Sequence, residues 1–181
     1  MTIFISGGAK NGKSTLAQDL AVSLSRGEAL YYVATMIPTD AEDHDRIRRH
    51  VENRAGLNFE TVECGHNILS CLDAADPNGT FLVDSATALL QNALFPADNN
   101  YQMDVAAAER CADDLASFAK TVCNAVIVSD YIYSNAARYD QATEVYRKLL
   151  ADIDRKLAQV CDTVLEVAAG STIVHKGDLP I

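Results

Sequence analysis

Residues 7–14 read Gly-Gly-Ala-Lys-Asn-Gly-Lys-Ser and directly follow the short apolar run from Ile3 to Ile5. They fit the pattern G-x-x-x-x-G-K-S/T in the context that it requires, with a strand before it and a helix after it. Such a loop turns its backbone N–H groups toward phosphate oxygens, and the positive end of the helix faces the same anion. The stretch therefore predicts a phosphate-binding loop (P-loop) in an α/β protein. The alternative is a glycine-rich strand-to-helix turn that binds no nucleotide.

Two side chains of this loop have expected chemical roles. Lys13 can reach the β- and γ-phosphates of a nucleotide, and the Ser14 hydroxyl can hold Mg²⁺. The residues predicted to contact nucleotide here are Gly7, Gly8, Ala9, Lys10, Asn11, Gly12, Lys13, Ser14 and Thr15.

The length and composition favour one ordinary globular domain. The chain has 181 residues, of which 49% are hydrophobic and 22% charged, so we expect a single domain over residues 1–181 with a substantial core. Five cysteines, an odd number without a C-x-x-C pair, argue against a disulfide framework and a zinc site. We interpret them as reduced core thiols of a cytoplasmic protein. They are Cys64, Cys71, Cys111, Cys123 and Cys161.

The charge of the chain argues against large anionic partners. Its formal net charge is −10, whereas binding to nucleic acid or to anionic lipid needs clustered lysines and arginines. No basic and apolar leader follows Met1, and no apolar run approaches the roughly 20 residues that span a bilayer. We therefore expect small-molecule partners, no nucleic acid and no membrane insertion.

Short apolar runs alternate with stretches of helical periodicity along the chain. Strands are predicted at 2–6, 30–34, 59–63, 80–84, 124–128 and 163–167, and helices at 13–25, 40–55, 66–75, 85–94, 103–122 and 138–160. This alternation predicts an α/β domain of three layers with a mostly parallel sheet. Residues 168–176 are predicted to close as a C-terminal hairpin around Gly170 and Ser171.

A carboxylate follows one of the predicted strands, in the run Phe81-Leu82-Val83-Asp84. In P-loop proteins an acid at this position lies beside the bound Mg²⁺, at the carboxyl edge of the sheet. Asp84 is therefore the second candidate metal ligand after Ser14. The alternative is that Asp84 caps the helix predicted at 85–94.

Four basic residues crowd into positions 46–54 of this acidic chain. On a helix Arg46, His50 and Arg54 lie at i, i+4 and i+8 and share one arc, and Ile47 and Val51 form a separate apolar stripe that we expect to face the sheet. The imidazole can act as a nucleophile toward phosphorus while the guanidiniums neutralise phosphate oxygens. The alternative is a solvated face that neighbouring carboxylates offset: Asp40, Glu42, Asp43, Asp45 and Glu52.

The order of these motifs resembles the bifunctional adenosylcobinamide kinase/adenosylcobinamide-phosphate guanylyltransferase family. Besides the P-loop, the likeness includes the strand Tyr32-Val33-Ala34-Thr35 and the segment Arg46-Ile47-Arg48-Arg49-His50-Val51-Glu52-Asn53-Arg54. It continues in Val83-Asp84-Ser85 with Asn92-Ala93-Leu94-Phe95, and is looser toward the end, in Tyr146-Arg147-Lys148-Leu149, Ala169-Gly170 and Lys176.

This resemblance implies a RecA-like fold, a homo-oligomer (a trimer) and two reactions in cobalamin biosynthesis. In the first, a γ-phosphoryl group of ATP or GTP passes to adenosylcobinamide with Lys13, Ser14, Mg²⁺ and Asp84 around the phosphates. In the second, His50 attacks the α-phosphorus of GTP and carries GMP to adenosylcobinamide phosphate, while Arg46 and Arg54 hold oxygens.

The chain departs from the family after its fifth strand, where the usual Asn-Glu-Val-Gly is replaced by Asp130-Tyr131-Ile132-Tyr133. Two tyrosines at the active edge of the sheet can reshape the acceptor pocket. Two other functions therefore stay open, namely a P-loop small-molecule kinase without a covalent intermediate and a non-catalytic nucleotide-binding switch. The role of His50 separates them from the bifunctional enzyme.

Overall fold

The structure, a computed structural model, describes residues 1–133 and 137–179. Its strands are β1 (Thr2–Gly7), β2 (Leu30–Ala34), β3 (Glu60–Glu63), β4 (Thr80–Asp84), β5 (Asn124–Asp130), β6 (Thr163–Ala168) and β7 (Ser171–Lys176). Its α-helices are α1 (Lys13–Ser25), α2 (Ala41–Asn53), α3 (Ala86–Leu94), α4 (Val105–Thr121) and α5 (Gln141–Val160). Short 3₁₀ helices lie at Ile68–Asp73 and Ala97–Asn99.

The seven strands form one sheet in the order β3-β2-β4-β5-β1-β6-β7. All neighbours are parallel except β6 and β7, which pair antiparallel as the predicted C-terminal hairpin. Ala169 and Gly170 form the turn with φ of 49° and 76°, the left-handed conformation that tight hairpin turns need. The predicted mostly parallel α/β domain with a closing hairpin is confirmed.

Side chains that alternate along the central strands fill two separate cores. Phe81 and Val83 of β4 point into the larger core, beneath α3, α4 and α5, and Leu82 between them points to α1 on the opposite face. In the larger core Phe118 of α4 is fully buried and meets Phe81 edge-on, at 5.4 Å between ring centroids. Burial on both faces explains why these strands read as continuous apolar runs.

The helix predicted at 66–75 is wrong in type, because the chain forms only the 3₁₀ helix Ile68–Asp73 there. Its start is fixed by Asn67, whose side chain accepts from the backbone N–H of Leu69.

Four of the five cysteines are buried thiols as predicted, but Cys123 is exposed, so the expectation of a core thiol is wrong there.

Helix α2 contradicts the expectation that Ile47 and Val51 pack on the sheet. None of its residues is buried, and Val51 is 49% exposed. The local signals for the helix are strong, since Asp40 caps it by accepting from the N–H of Asp43 and acidic residues occupy its first turn. Helical periodicity thus gave the helix and its faces, but in the part of the chain that the structure describes Ile47 and Val51 line a cavity instead of packing on the sheet.

We expect Gly7→Ala to destabilise the fold, because an added Cβ would lie 2.4 Å from the carbonyl oxygen of Val167 on the neighbouring strand β6. Backbone cannot yield as a side chain does, so the free energy of unfolding should fall by about 1–3 kcal/mol in urea titrations. Gly8→Ala is the matched control, since its Cβ meets only the flexible amide of Asn11, at 3.1 Å. Equal stability of the two variants would contradict this account.

Asp154 of α5 makes stability depend on pH. It is 5% exposed, and burial, which the hydrogen bond from Tyr133 only partly offsets, raises the pKa of its carboxyl to about 6. The folded protein therefore holds a proton that the unfolded chain has lost, and ionising Asp154 lowers stability as pH rises from about 4 to about 6.

We expect the free energy of unfolding of wild type to fall by up to about 3 kcal/mol between pH 4 and pH 7 relative to that of Asp154→Asn, because the amide of the variant does not ionise. Thermal or urea unfolding across this range measures it. The exposed Asp98→Asn should show a flat difference, and a flat difference for Asp154→Asn would show that its carboxyl does not titrate as described.

Candidate active site

The P-loop joins β1 to α1 and presents Lys13 from the first turn of that helix. Gly12 takes the N-cap position with φ of 89°, and no side chain of the described residues caps the helix. The first N–H groups of α1 are therefore left for a ligand, as in anion sites at helix N-termini. This loop conformation is the one that the sequence motif predicts.

Lys13 is buried, with 5% of its side chain exposed, and two oxygens hold its ammonium. Its Nζ donates to the carbonyl oxygen of Gly8 at 2.6 Å and lies 2.5 Å from Oδ1 of Asp130 at the end of β5. A buried ammonium is stable only when it is paired in this way. Lys13 thus sits at the carboxyl edge of the sheet with an anionic partner that the sequence motif does not include.

Asp84 ends β4 at the same edge. Its Oδ2 accepts from the hydroxyl of Tyr32 at 3.0 Å and lies 3.5 Å from Nδ1 of His50. The helix-cap alternative for Asp84 is wrong, because Ser85 is the N-cap of α3 and accepts from the N–H of Ala88. Asp84 is therefore available to the site, with one oxygen shared between a phenol and an imidazole.

Tyr32 is the centre of a packed group on this side of the site. The guanidinium of Arg54 lies over its ring at 3.9 Å from the centroid, and Phe59 meets the ring edge-on. Burial, followed by the charge and hydrogen bond of Asp84, raises the pKa of Tyr32 far above its usual value. Tyr32 is thus a permanent neutral donor to Asp84 and a platform for Arg54.

Two buried nitrogens of this group have no hydrogen-bond partner among the described residues. They are Nδ1 of His50 and Nη1 of Arg54. The other terminal nitrogen of Arg54, Nη2, donates to the hydroxyl of Thr61 at 3.2 Å. Leaving a buried donor unpaired is costly, so Nη1 of Arg54 calls for a ligand or solvent, whereas Nδ1 of His50 has the Asp84 carboxylate 3.5 Å away. Both residues line the cavity described next.

One cavity of ≈ 1380 Å³ joins these groups. This volume exceeds the about 300–1,000 Å³ of a typical small-molecule site, so it can admit a nucleotide and part of a second reactant. It lies between the P-loop, the edge of the sheet and α2. The predicted site residues that line it are Ala9, Lys10, Asn11, Gly12, Lys13, Ser14, Thr15, Arg46, His50, Arg54 and Asp84.

Gly7 and Gly8, also predicted to contact nucleotide, do not line this cavity. Gly7 approaches the backbone of β6, and the carbonyl of Gly8 accepts a hydrogen bond from Lys13.

Arg48, on the other side of α2, pairs with Asp45 at 3.0 Å and is largely exposed. The basic segment is therefore split between a solvated face and a cavity face, and the three residues predicted to share an arc are on the cavity face.

Tyr131 and Tyr133, which we expect can reshape the acceptor pocket, do not line this cavity. The Tyr131 hydroxyl donates to Glu166 at 3.0 Å, and that of Tyr133 donates to Asp154 at 2.7 Å. Both side chains pin the segment after β5 to β6 and α5. The residue of this segment that does line the cavity is Asp130. A sequence signal for it existed, since it ends an apolar strand just as Asp84 does.

Asn92 of α3, another residue of the motifs that carry the resemblance, has a structural role. Its amide nitrogen donates to the carbonyls of Thr35 at 2.8 Å and Gly65 at 2.7 Å, which joins the segments after β2 and β3. Thr35 is in turn bonded through its hydroxyl to the backbone of Ser85. These bonds fix the sheet edge on which Asp84 lies.

Comparison of the fold with solved structures finds similar folds, among them ATPases. A protein of Pyrococcus horikoshii OT3 superposes with a TM-score of 0.56 at 10% identity, over 97% of this chain and 86% of that one. A prototypical ATPase from the type III secretion system of pathogenic bacteria gives 0.53 at 11% identity, over 92% of this chain and 51% of that one. At such identities the likeness shows the fold alone, and it confirms the predicted RecA-like P-loop architecture.

The sequence comparisons are more specific. The model of the family "Cobinamide kinase / cobinamide phosphate guanyltransferase" matches residues 3–174. The "Bifunctional adenosylcobalamin biosynthesis protein CobU" of Salmonella typhimurium is 28% identical over 94% of this chain and 97% of its own length, and that of Escherichia coli K12 is 25% identical over the same shares. Because the family model covers nearly the whole chain, this protein belongs to the bifunctional cobinamide kinase/cobinamide phosphate guanyltransferase family of cobalamin biosynthesis.

Proposed function

We propose that this chain phosphorylates adenosylcobinamide and then transfers GMP from GTP to adenosylcobinamide phosphate, with His50, Lys13 and Asp84 as its catalytic residues. Membership of the family supports the reaction pair. The observation that carries the assignment of residues is that the P-loop lysine and His50 line one cavity. A P-loop alone supports phosphoryl transfer, whereas a histidine on the same cavity adds a nucleophile for nucleotidyl transfer.

The residues present fit Mg²⁺ bound together with the nucleotide. The Ser14 hydroxyl and the Asp84 carboxylate both line the cavity, and Mg²⁺ prefers oxygen ligands completed by water and phosphate oxygens. When bound there, the ion would neutralise charge on the phosphates. We infer that Ser14 and Asp84 hold it during the kinase reaction.

In the kinase reaction Lys13 exchanges partners. We infer that its ammonium turns from Gly8 and Asp130 toward the β- and γ-phosphates of ATP or GTP, because these phosphates together carry more negative charge than one carbonyl and one carboxylate. The N–H groups at the start of α1 complete the cradle, and their fixed dipoles stabilise the negative charge that moves in the transition state.

In the transferase reaction His50 is the nucleophile. Its Nδ1 is buried and faces Asp84, so Nε2 is the ring nitrogen left for attack. A bond forms between Nε2 and the α-phosphorus of GTP, the bond from that phosphorus to the bridging oxygen breaks, and pyrophosphate leaves with the electron pair. The phosphate of the acceptor then displaces GMP from the histidine. Asp84 keeps the imidazole oriented and offsets the positive charge that it gains.

Arg46 and Arg54 are assigned to the phosphate oxygens of GTP. Arg54 has the stronger support, because its Nη1 is buried without a partner among the described residues while stacking on Tyr32 fixes the guanidinium plane. A planar guanidinium held in this way matches two phosphate oxygens. Arg46 is exposed and lines the cavity one turn before His50.

We further infer a homo-oligomer, a trimer by resemblance to the family, whose partners are corrinoid and nucleotide substrates rather than nucleic acid. Val51 of α2, an apolar side chain that is 49% exposed, supports association of copies. The described part of the chain contains no helix long and apolar enough to cross a membrane. The buried reduced thiols support a cytoplasmic location.

The guanylyl intermediate predicts a covalent adduct. After incubation with GTP and Mg²⁺, intact-protein mass spectrometry should show one acid-labile GMP on wild type and none on His50→Ala. His44→Ala, from the same helix and the same cavity, is the matched control and should keep the adduct. GTP binding without an adduct on wild type would contradict the covalent mechanism and leave a kinase or a switch.

The two half-reactions should separate by mutation. His50→Ala should keep the rate of adenosylcobinamide phosphorylation within about threefold of wild type, because the imidazole does not touch the γ-phosphate in this account. Lys13→Met should lower that rate about 10²–10³-fold through loss of charge stabilisation. Lys148→Met, an exposed lysine of α5, is the control for loss of a positive charge. An equal loss in His50→Ala and Lys13→Met would contradict the division of roles.

A further inference from the structure

Tyr32 is a buried side chain of the cavity to which the reactions above give no role, and the strand register puts it next to Asp84. In the pairing of β2 with β4, Tyr32 lies opposite Leu82, and Ala34, two residues further on, lies opposite Asp84. Tyr32 and Asp84 are therefore diagonal neighbours on one face of the sheet, a separation that a long side chain spans. The sheet thus brings the phenol to the carboxylate that faces His50.

The hydroxyl of Tyr32 restrains the carboxylate of Asp84. Oδ2 of Asp84 accepts from this hydroxyl at 3.0 Å and lies 3.5 Å from Nδ1 of His50. In the part of the chain that the structure describes, no other group donates a hydrogen bond to this carboxylate. The terminal torsion of an aspartate is broad, so a donor on a buried ring is what selects one orientation. The hydroxyl therefore sets the position of the group that orients the imidazole.

The ring of Tyr32 restrains Arg54 in a separate way. The guanidinium carbon lies 3.9 Å from the ring centroid, and Nη2 donates at 3.2 Å to Thr61, which lies opposite Tyr32 in the pairing of β2 with β3. Nη1 is the terminal nitrogen left without a partner among the described residues. Stacking fixes the plane of a guanidinium, and the plane decides which oxygens its nitrogens can reach. The ring therefore sets how Arg54 meets phosphate.

Both contacts act on the same end of α2. His50 lies in the last turn of this helix and Arg54 follows as its C-cap, one turn later. None of the residues of α2 is buried, so apolar packing on the sheet does little to fix the position of His50. One side chain of a central strand is thus connected to the nucleophile through Asp84 and to the phosphate-binding arginine directly.

We propose that Tyr32 is a positioning residue of guanylyl transfer, an inference that rests on the proposed function. Its hydroxyl holds Asp84, which orients the imidazole of His50 toward the α-phosphorus of GTP. Its ring holds the guanidinium of Arg54 against the phosphate oxygens. The two parts of the side chain therefore affect different quantities, since the hydroxyl affects the rate of attack and the ring affects the binding of GTP. Tyr32 itself transfers no proton and forms no bond to phosphorus.

The test measures single-turnover guanylylation of the full chain with Mg²⁺ over a range of GTP concentrations, which gives a maximal rate and the concentration at half that rate. Tyr32→Phe keeps the ring. Its maximal rate should fall about 10–100-fold, and its half-rate concentration should stay within about threefold of wild type. Tyr32→Leu loses both parts. Its maximal rate should fall at least as far, and its half-rate concentration should rise about 2–30-fold, the range for a lost cation–π contact.

Tyr31→Phe is the matched control, because Tyr31 is the neighbouring buried tyrosine of β2 and its hydroxyl accepts from the backbone N–H of Asp76, outside the cavity. Both of its quantities should stay within about threefold of wild type. Equal loss of rate in Tyr31→Phe and Tyr32→Phe would overturn the inference, since losing any buried hydroxyl of this strand would then suffice.

A maximal rate of Tyr32→Phe equal to that of wild type would overturn the role of the hydroxyl. Equal half-rate concentrations for Tyr32→Phe and Tyr32→Leu would overturn the role of the ring. Either result, with a guanylylated wild type, leaves the proposed function standing. If wild type formed no guanylyl adduct at all, the transferase half of the proposed function would be wrong, and the inference with it.

Discussion

The site depends on one buried charge, the ammonium of Lys13, and on how the fold neutralises it. Parallel strands bring the P-loop and the end of β5 to the same edge of the sheet, where the Gly8 carbonyl and the Asp130 carboxylate hold the lysine. A lysine with 5% of its side chain exposed would be costly without these partners. The same arrangement sets the lysine of the phosphate-loop motif beside a carboxylate that lines the same cavity.

A second charge cluster, around Asp84, brings a different chemistry to the same cavity. Tyr32 and His50 share one carboxylate oxygen, and Arg54 stacks on Tyr32 with an unpaired nitrogen. In our account this cluster orients the nucleophile and binds phosphate, while the Lys13 group transfers the γ-phosphoryl. In this account the two reactions share one cavity and one carboxylate, Asp84.

The sequence predicted most of the fold because its signals are local. The P-loop motif, the apolar strands and the caps of the helices each act within a few residues, and the structure has the sheet and hairpin where these patterns place them. Helical periodicity at Ile47 and Val51 shows an apolar face, but whether a layer covers that face depends on distant parts of the chain. Hence the packing expected for α2 was wrong.

Side chains that depend on tertiary partners were harder to predict. Tyr131 and Tyr133 follow β5 as the expected pocket residues would, yet they bond to Glu166 and Asp154 away from the cavity. Asp130 carried a local signal, an acid at the end of a strand, but its importance follows from the insertion of β5 beside β1, which only the sheet order reveals.

The central claim is that one cavity serves both phosphate chemistries, and a crystal structure of the wild-type chain after incubation with GTP and Mg²⁺ tests it most directly. The account predicts electron density continuous from Nε2 of His50 to the phosphorus of GMP, inside the cavity that the P-loop also lines. Intact GTP in the P-loop beside an unmodified His50, in crystals of protein with transferase activity, would contradict it.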